Sequence, residues 1–281
     1  MSIHMIVDSC CDTTPELATY LNADIAPLKV KIGERLFNDD GTSDPKVLLE
    51  AMAETKQAAT SACPSPEEFA EHMRRYEQCV VVTLSDKLSG SYNAARVAAD
   101  IIREKAPEKR IHVFNSKSAS AGELLLAVKL REHIDAGMDF NALVKTGEHE
   151  IEAMRTLFVL EDLGNFVKNG RLSKVSGVVA SILSLCPIMG DDGNGEVKMM
   201  AKARGNQNAL NKLVELVAKI TEDKPASSVR MAMCYCNCRE RAEKLKANLL
   251  EKCSAIREIL MAPTACLSTM YANNGGIILA F

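Results

Sequence analysis

The chain has 281 residues, and its 47% hydrophobic and 25% charged composition is that of a globular protein, which excludes an intrinsically disordered or fibrous one. Thirty-four Lys and Arg against 37 Asp and Glu leave a formal charge of −3; this supplies no overall field for holding nucleic acid or an anionic membrane surface, so no nucleic-acid partner is expected. The longest apolar stretch, 175–189, is broken by Ser, Gly and Pro and falls short of the ~20 clean residues that cross a bilayer, so no membrane span is expected either.

At roughly 150 residues per domain the length predicts two domains, and a change of pattern places their boundary near residue 150, giving 1–150 and 151–281. In the first half, residues 4–7, 25–32, 79–84 and 111–114 are short runs rich in Val and Ile and read as strands. Amphipathic segments at 15–21, 45–53, 66–76, 91–105 and 119–136 read as helices between them, and the alternation predicts a parallel sheet covered by helices, a three-layer α/β/α arrangement. Ser65-Pro66-Glu67-Glu68 carries a capping Ser, a Pro at the first helical position and a Glu three residues after the cap. Thr13-Thr14-Pro15-Glu16 is built alike, with either Thr as the cap.

In the second half, 155–161 reads as a strand, 162–169 as a short helix and 173–185 as a helix with an almost continuously apolar surface. The segments 186–190 and 196–200 flank Asp191-Asp192-Gly193-Asn194-Gly195, whose Asn-Gly is expected to supply the positive-φ residues of a tight hairpin. A helix over 204–221, a strand over 229–236, a helix over 239–252 and strands over 256–261 and 277–280 complete the chain. This half is expected to form a two-layer α/β unit with a mixed sheet.

The first eight residues lack the basic and apolar regions of a signal peptide and read as an immediate strand, so a cytoplasmic location is expected. Ten Cys in that context read as free thiols rather than disulfides. Five Tyr, seven Phe and no Trp, against 13 Met, give an adaptable aliphatic interior, compatible with a greasy ligand and with ordinary core filling alike.

The segment Val80-Val81-Val82-Thr83-Leu84-Ser85-Asp86-Lys87-Leu88-Ser89-Gly90-Ser91 runs from a buried strand through a polar turn into a helix start, where free N–H groups and the helix dipole favour an anion. Ser89 offers a hydroxyl there and Gly90 a close backbone approach; a Ser cap beside a packing Gly is the competing reading. Ser61 lies in Thr60-Ser61-Ala62-Cys63-Pro64-Ser65, where it could converge on the same strand-end crevice. Phosphate-loop, dinucleotide and His-Glu-x-x-His patterns are missing, as is a Gly-x-Ser-x-Gly elbow. Cys234, Cys236 and Cys238 would share one strand face, yet no neighbouring His or Cys-x-x-Cys completes a zinc pattern, so they read as apolar packing and no metal is expected. Lys168, Arg171 and Lys174 surround a Gly-punctuated turn and offer either a docking patch or a solvated face. Arg204 either covers a surface or reaches an anion between the two halves.

Together, Val7-Asp8-Ser9, Ser61-Ala62-Cys63-Pro64-Ser65-Pro66, Leu88-Ser89-Gly90-Ser91-Tyr92, Asn169-Gly170-Arg171-Leu172-Ser173 and Lys202-Ala203-Arg204-Gly205 resemble, in order and spacing across nearly the whole chain, the DegV family. The resemblance implies a two-domain α/β protein that holds one long-chain fatty acid in a tunnel between domains. It implies a carrier without catalysis or cofactor of its own, which presents the carboxyl group to a separate fatty acid kinase; the acyl phosphate then serves phospholipid synthesis. Carried over position by position, it implies Ser61, Ser89, Gly90 and Arg204 at the carboxyl group, with Thr60 replacing Ser61 if one residue is inserted, and Arg171 in kinase docking. Many members carry a His in the last segment; Ser268-Thr269-Met270-Tyr271-Ala272-Asn273-Asn274-Gly275-Gly276 has none. The rival readings are a small-molecule phosphotransferase related in fold to dihydroxyacetone kinase and a protein-interaction module without lipid.

Overall fold

The computed structural model describes residues 3–55, 57–172 and 185–281. Four strands, β1 (His4–Asp8), β2 (Ala23–Ala26), β6 (Gln78–Thr83) and β7 (Arg110–Asn115), form a wholly parallel sheet in the order β2-β1-β6-β7. β1 and β6 are buried on both faces, the condition under which parallel strands read as continuous apolar runs. One face is covered by α3 (Pro66–Met73) and α4 (Ser91–Lys105), through Phe69, Met73, Ala95 and Ile102 against Ile6 and Val81. The other carries α5 (Ala121–Asp135) and α6 (Phe140–Ala153). The helix starts follow the expected chemistry. Ser65 and Glu68 of α3 satisfy each other's backbone N–H groups at 3.2 and 2.7 Å, and Thr14 caps α1 (Pro15–Leu21) by accepting from Leu17 N.

The apolar run 25–32 is two strands in two sheets. Pro27 has no N–H to continue the ladder, so β2 ends at Ala26 and β3 (Lys29–Ile32) leaves for a three-stranded antiparallel sheet with β4 (Arg35–Asn38) and β5 (Thr60–Ala62). Helix α2 (Pro45–Glu54) lies between β4 and β5 in the chain. Helix α6 is not among the elements expected from the sequence. Its buried positions Phe140, Leu143, Gly147 and Ile151 follow helical spacing, but Gly147 interrupts the apolar stripe. A Cβ there would lie 2.6 Å from the Phe114 ring, so the glycine is what lets α6 rest on β7.

The second sheet has the order β10-β9-β8-β13-β11-β12, from β8 (Thr156–Val159), β9 (Cys186–Asp191), β10 (Val197–Ala203), β11 (Val229–Tyr235), β12 (Ile256–Pro263) and β13 (Ile277–Ala280). Only β11 and β12 pair in parallel. Helices α8 (Asn206–Ile220) and α9 (Arg239–Lys252) cover one face through Leu213, Val214, Leu245 and Leu249. The opposite face is covered by α5, from the first half of the chain. Lying between two sheets, α5 buries every residue from Ala121 to Val128, so the amphipathic pattern expected over 119–136 is confined to its last turns, where Glu132 and Asp135 are exposed. One apolar cluster therefore runs from Val80 and Val82 through Leu124 and Leu126 to Cys234, Ile278 and Ala280.

Two short helices, α7 (Gly164–Lys168) and α10 (Cys266–Ala272), lie against each other, and α10 packs Leu267 and Met270 on α2 and β3 of the three-stranded sheet. The hairpin joining β9 and β10 departs from expectation: Gly193 and Gly195, not Asn194, hold the positive φ angles, at 87° and 91°. Asp191 and Asp192 side chains accept the loop N–H groups, so the turn is wider than a two-residue one. The three cysteines 234, 236 and 238 do not share a strand face, because β11 ends at Tyr235 and Cys238 precedes α9 as its cap position. The helix expected over 173–185 falls on residues outside the described set, apart from its last position.

Candidate ligand-binding site

A cavity of about 850 Å³, including its mouth, lies between the parallel sheet and the mixed sheet. On the first sheet it follows the carboxyl ends of the strands: Leu28 beyond β2, Cys10 after β1, Leu84 after β6, and Lys117 and Ser118 after β7. This is where the connection order reverses, β1 leading to β2 on one side and β6 to β7 on the other, and open parallel sheets leave a crevice at such a point. The second sheet contributes Phe158, Leu160, Val197 and Ile278, and α7 and α10 add Phe166 and Leu267. The middle is thus apolar.

Hydroxyls gather at the β2 end. Ser61 is placed by β5, paired opposite Val30 of β3, and lines the cavity, while its neighbour Thr60 is exposed and does not. Ser89 lines it too. The turn bearing Ser89 is fixed by Ser85, whose carbonyl accepts from Leu88 N and Ser89 N, and by Asp8, which accepts from Leu84 N at 3.1 Å and from Ser91 Oγ at 2.6 Å. Ser89 Oγ, one residue before the cap position, accepts from Ser91 N at 3.2 Å, so the cavity hydroxyl also holds the first N–H of α4. Gly90 is the N-cap of α4, exposed and not among the lining residues; a Cβ there would meet Cys63 Sγ at 3.2 Å.

Arg171 lines the cavity. Its Nε donates to Leu88 O at 3.1 Å, which sets the guanidinium against the Ser89 turn, and Asn169 Nδ2 donates to Ala59 O at 3.0 Å, drawing the same loop to the Ser61 strand. Arg204 is exposed after β10 and is not among the lining residues. The structure therefore brings Ser61, Ser89 and Arg171 together, and leaves Gly90, next in the chain to Ser89, and Arg204 off the wall.

Helix α10, not expected from the sequence, supplies Ser268 and Tyr271 to the wall. They stand three residues apart, on one helical face, and that spacing was the available signal. Burial raises the pKa of the Tyr271 phenol, and Arg171 and Ser61 facing it act in the opposite sense. The helix has no capping side chain of its own at Ala265; Asp39, more than two hundred residues earlier, accepts from Cys266 N at 2.7 Å and Leu267 N at 3.1 Å. Burial lifts the Asp39 carboxyl to about 6 despite those two donors. At the far end, Ser118 and Thr156 hydroxyls join the two sheets at 2.7 Å, and Ser85 Oγ donates to Gly195 O at 2.8 Å. Among the described residues no group of His, Cys, Asp or Glu is arranged to hold a metal ion, and no helix is long and apolar enough to cross a membrane. All ten cysteines are free thiols.

A family model described as DegV, "Uncharacterised protein, DegV family", matches residues 2–280. A DegV domain-containing protein of Streptococcus pneumoniae is 31% identical over 289 residues, covering 100% of this chain and 99% of that protein. Two solved structures are similar throughout. A DegV family protein from Ruminococcus gnavus, with vaccenic acid, superposes with a TM-score of 0.93 at 40% identity, covering 100% of this chain and 99% of its own. The fatty acid kinase B3 protein of Streptococcus pneumoniae, loaded with linoleic acid, superposes with a TM-score of 0.90 at 31% identity over the same shares.

Proposed function

Because the chain belongs to the DegV family, we propose that it binds one long-chain fatty acid in this cavity and presents the carboxyl group to a separate fatty acid kinase. The observation that carries the reading is the cavity itself: an apolar middle of Leu84, Phe158, Leu160, Phe166 and Ile278, with Ser61, Ser89, Tyr271 and Arg171 gathered at one end and Lys117, Asp191 and Glu196 beside the β9–β10 hairpin. Each methylene buried contributes about 0.8 kcal/mol before the cost of ordering the chain, so an acyl tail supplies the retention. The carboxylate loses water at the other end. Hydroxyl donors and one guanidinium offset that loss, charge-assisted bonds being about twice as strong as neutral ones. In this reading Ser61, Ser89 and Arg171 receive the carboxylate, and Gly90 lets the α4 turn lie close.

The chain needs no nucleotide site of its own. The kinase transfers the γ-phosphoryl group of ATP to a carboxylate oxygen, and the acyl phosphate passes to phospholipid synthesis. Arg204, exposed and off the cavity, is free to meet the kinase surface, with Arg171 reporting through the loop it shares with the mouth. Native mass spectrometry of freshly purified protein, followed by denaturing extraction, tests the binding step. One fatty acid per chain is expected. Protein that is ligand-free and also takes up no added fatty acid overturns the reading.

A further inference from the structure

Behind the hydroxyl-bearing wall lie three carboxyl groups for which acid binding has so far needed no titration: Asp8, Asp12 and Glu123, all fully buried. Asp8 accepts from Cys10 N, Leu84 N and Ser91 Oγ. Asp12 accepts from Ala265 N at 2.8 Å and from Ser120 Oγ. The oxygens of Glu123 accept from no backbone N–H or hydroxyl; its carboxyl faces that of Asp8 and the Cys10 thiol, so a proton on Glu123 is donated toward Asp8. The other ionisable groups turned toward Asp12 and Glu123 are Asp39, from the loop after β4, and the thiols of Cys10, Cys11, Cys234 and Cys236. Burial raises every one of those thiols, so they stay neutral. No Lys, Arg or His forms an ion pair with the three carboxyl groups among the described residues, and two or three unpaired negative charges in a dry core cannot all persist.

The cluster touches the cavity through hydroxyls. Ser120 and Ser268 line the wall, and both face Asp12; Ser268 Oγ also lies 3.8 Å from Cys10 Sγ. Ser120 is the N-cap position of α5, at φ 57° and ψ −116°, yet it makes no cap bond: its hydroxyl is turned to Asp12 instead.

We propose that this cluster takes up a proton when the fatty acid binds, with Asp12 as the acceptor and Ser120 as the link to the ligand space. The inference rests on the fatty-acid reading above. The ligand brings one negative charge to a wall already backed by carboxylates. One proton from solvent adds to Asp12, converting carboxylate to carboxylic acid, and the local charge is restored. The protonated Asp12 then donates to Ser120 Oγ, and the Ser120 hydroxyl hydrogen, no longer held by Asp12, turns to the cavity as a donor. Burial lifts the Asp12 carboxyl to about 7 and holds Glu123 well above the usual range, so in the empty protein Glu123 keeps its proton and Asp12 is poised to change.

Calorimetric titration of the ligand-stripped chain with palmitate, in phosphate and in Tris, counts the protons taken up. At pH 8 the expected uptake approaches one proton per acid, and Kd rises by up to about tenfold per pH unit above 7; at pH 5.5 uptake falls toward zero. Hexadecanol, which brings no charge, binds without uptake. Asp12→Asn binds palmitate with most of the uptake lost and a flatter pH profile. Palmitate binding at pH 8 with no uptake in the wild-type chain overturns the proposal and leaves the carrier reading standing, as does uptake undiminished in Asp12→Asn, which would put the proton on the ligand. Failure to bind palmitate or any other fatty acid overturns both. The wild-type titration decides the matter even if the variant does not fold.

Discussion

Asp12 occupies a left-handed backbone position, φ 52°, which Asn adopts as readily as Asp, so Asp12→Asn keeps the local shape while removing the charge. Burial lifts the wild-type carboxyl to about 7 in the folded chain, above the ordinary aspartate value of 3.8, so it binds its proton more tightly folded than unfolded. Its contribution to stability is complete below about pH 4 and is lost as pH rises through about 7. Chemical denaturation at a series of pH values is thus expected to show Asp12→Asn gaining on the wild type across that window and holding its advantage above it. Ser89 belongs to the same scale. Its hydroxyl sits on the cavity wall and also accepts from Ser91 N. Ser89→Ala is expected to weaken fatty acid retention about 5- to 10-fold, the worth of one hydrogen bond, in a lipid-binding titration; an unchanged affinity would remove Ser89 from the head-group contacts.

Helix α6 shows how one residue governs the seating of an element. Gly147 stands against Phe114 and Leu130, 2.6 and 3.0 Å from where a Cβ would be, and the ring belongs to a fully buried core residue. Gly147→Ala gains helix propensity but forces α6 off β7. Overpacking of this kind costs about 1–3 kcal/mol, and a lowered urea midpoint with an unchanged slope is the expected result. At the same scale, α10 depends on Asp39 for its first N–H groups; its own sequence offers Ala265 at the cap, which explains why no helix start was readable there.

Over the whole molecule, α5 is the shared core of both sheets. Two separable units with their own cores would unfold in two steps. A helix whose apolar surface is divided between them binds their stabilities together, as do the Ser118 to Thr156 and Ser85 to Gly195 hydrogen bonds. A single calorimetric transition is expected, with calorimetric and van't Hoff enthalpies in agreement; two resolved transitions would show that α5 belongs to one sheet energetically. Because the cavity is walled by both sheets, a fatty acid at a hundred times its Kd is expected to raise the stability of that one transition by about 2.7 kcal/mol.

The amino-acid sequence by itself determined the parallel sheet, the capped starts of α1 and α3, and the turn that carries Ser89, because apolar periodicity, Pro and Ser caps and strand-end turns act within a few residues of one another; Ser61 stands on β5, a strand formed only by pairing with β3. Tertiary structure decided the rest. Pro27 divides one apolar run between two sheets; α5, expected to show one apolar face, is buried from both sides over 121–128; Ser268 and Tyr271 reach the cavity only because Asp39 caps α10 from across the chain. Arg204 matched a motif and still lies outside the wall, since a motif fixes its neighbours along the chain and not the direction in which β10 and α8 carry it. The partners of Asp8, Asp12 and Asp39 stand from two to more than two hundred and fifty residues away; the burial that shifts their titration exists only once all of those segments have met.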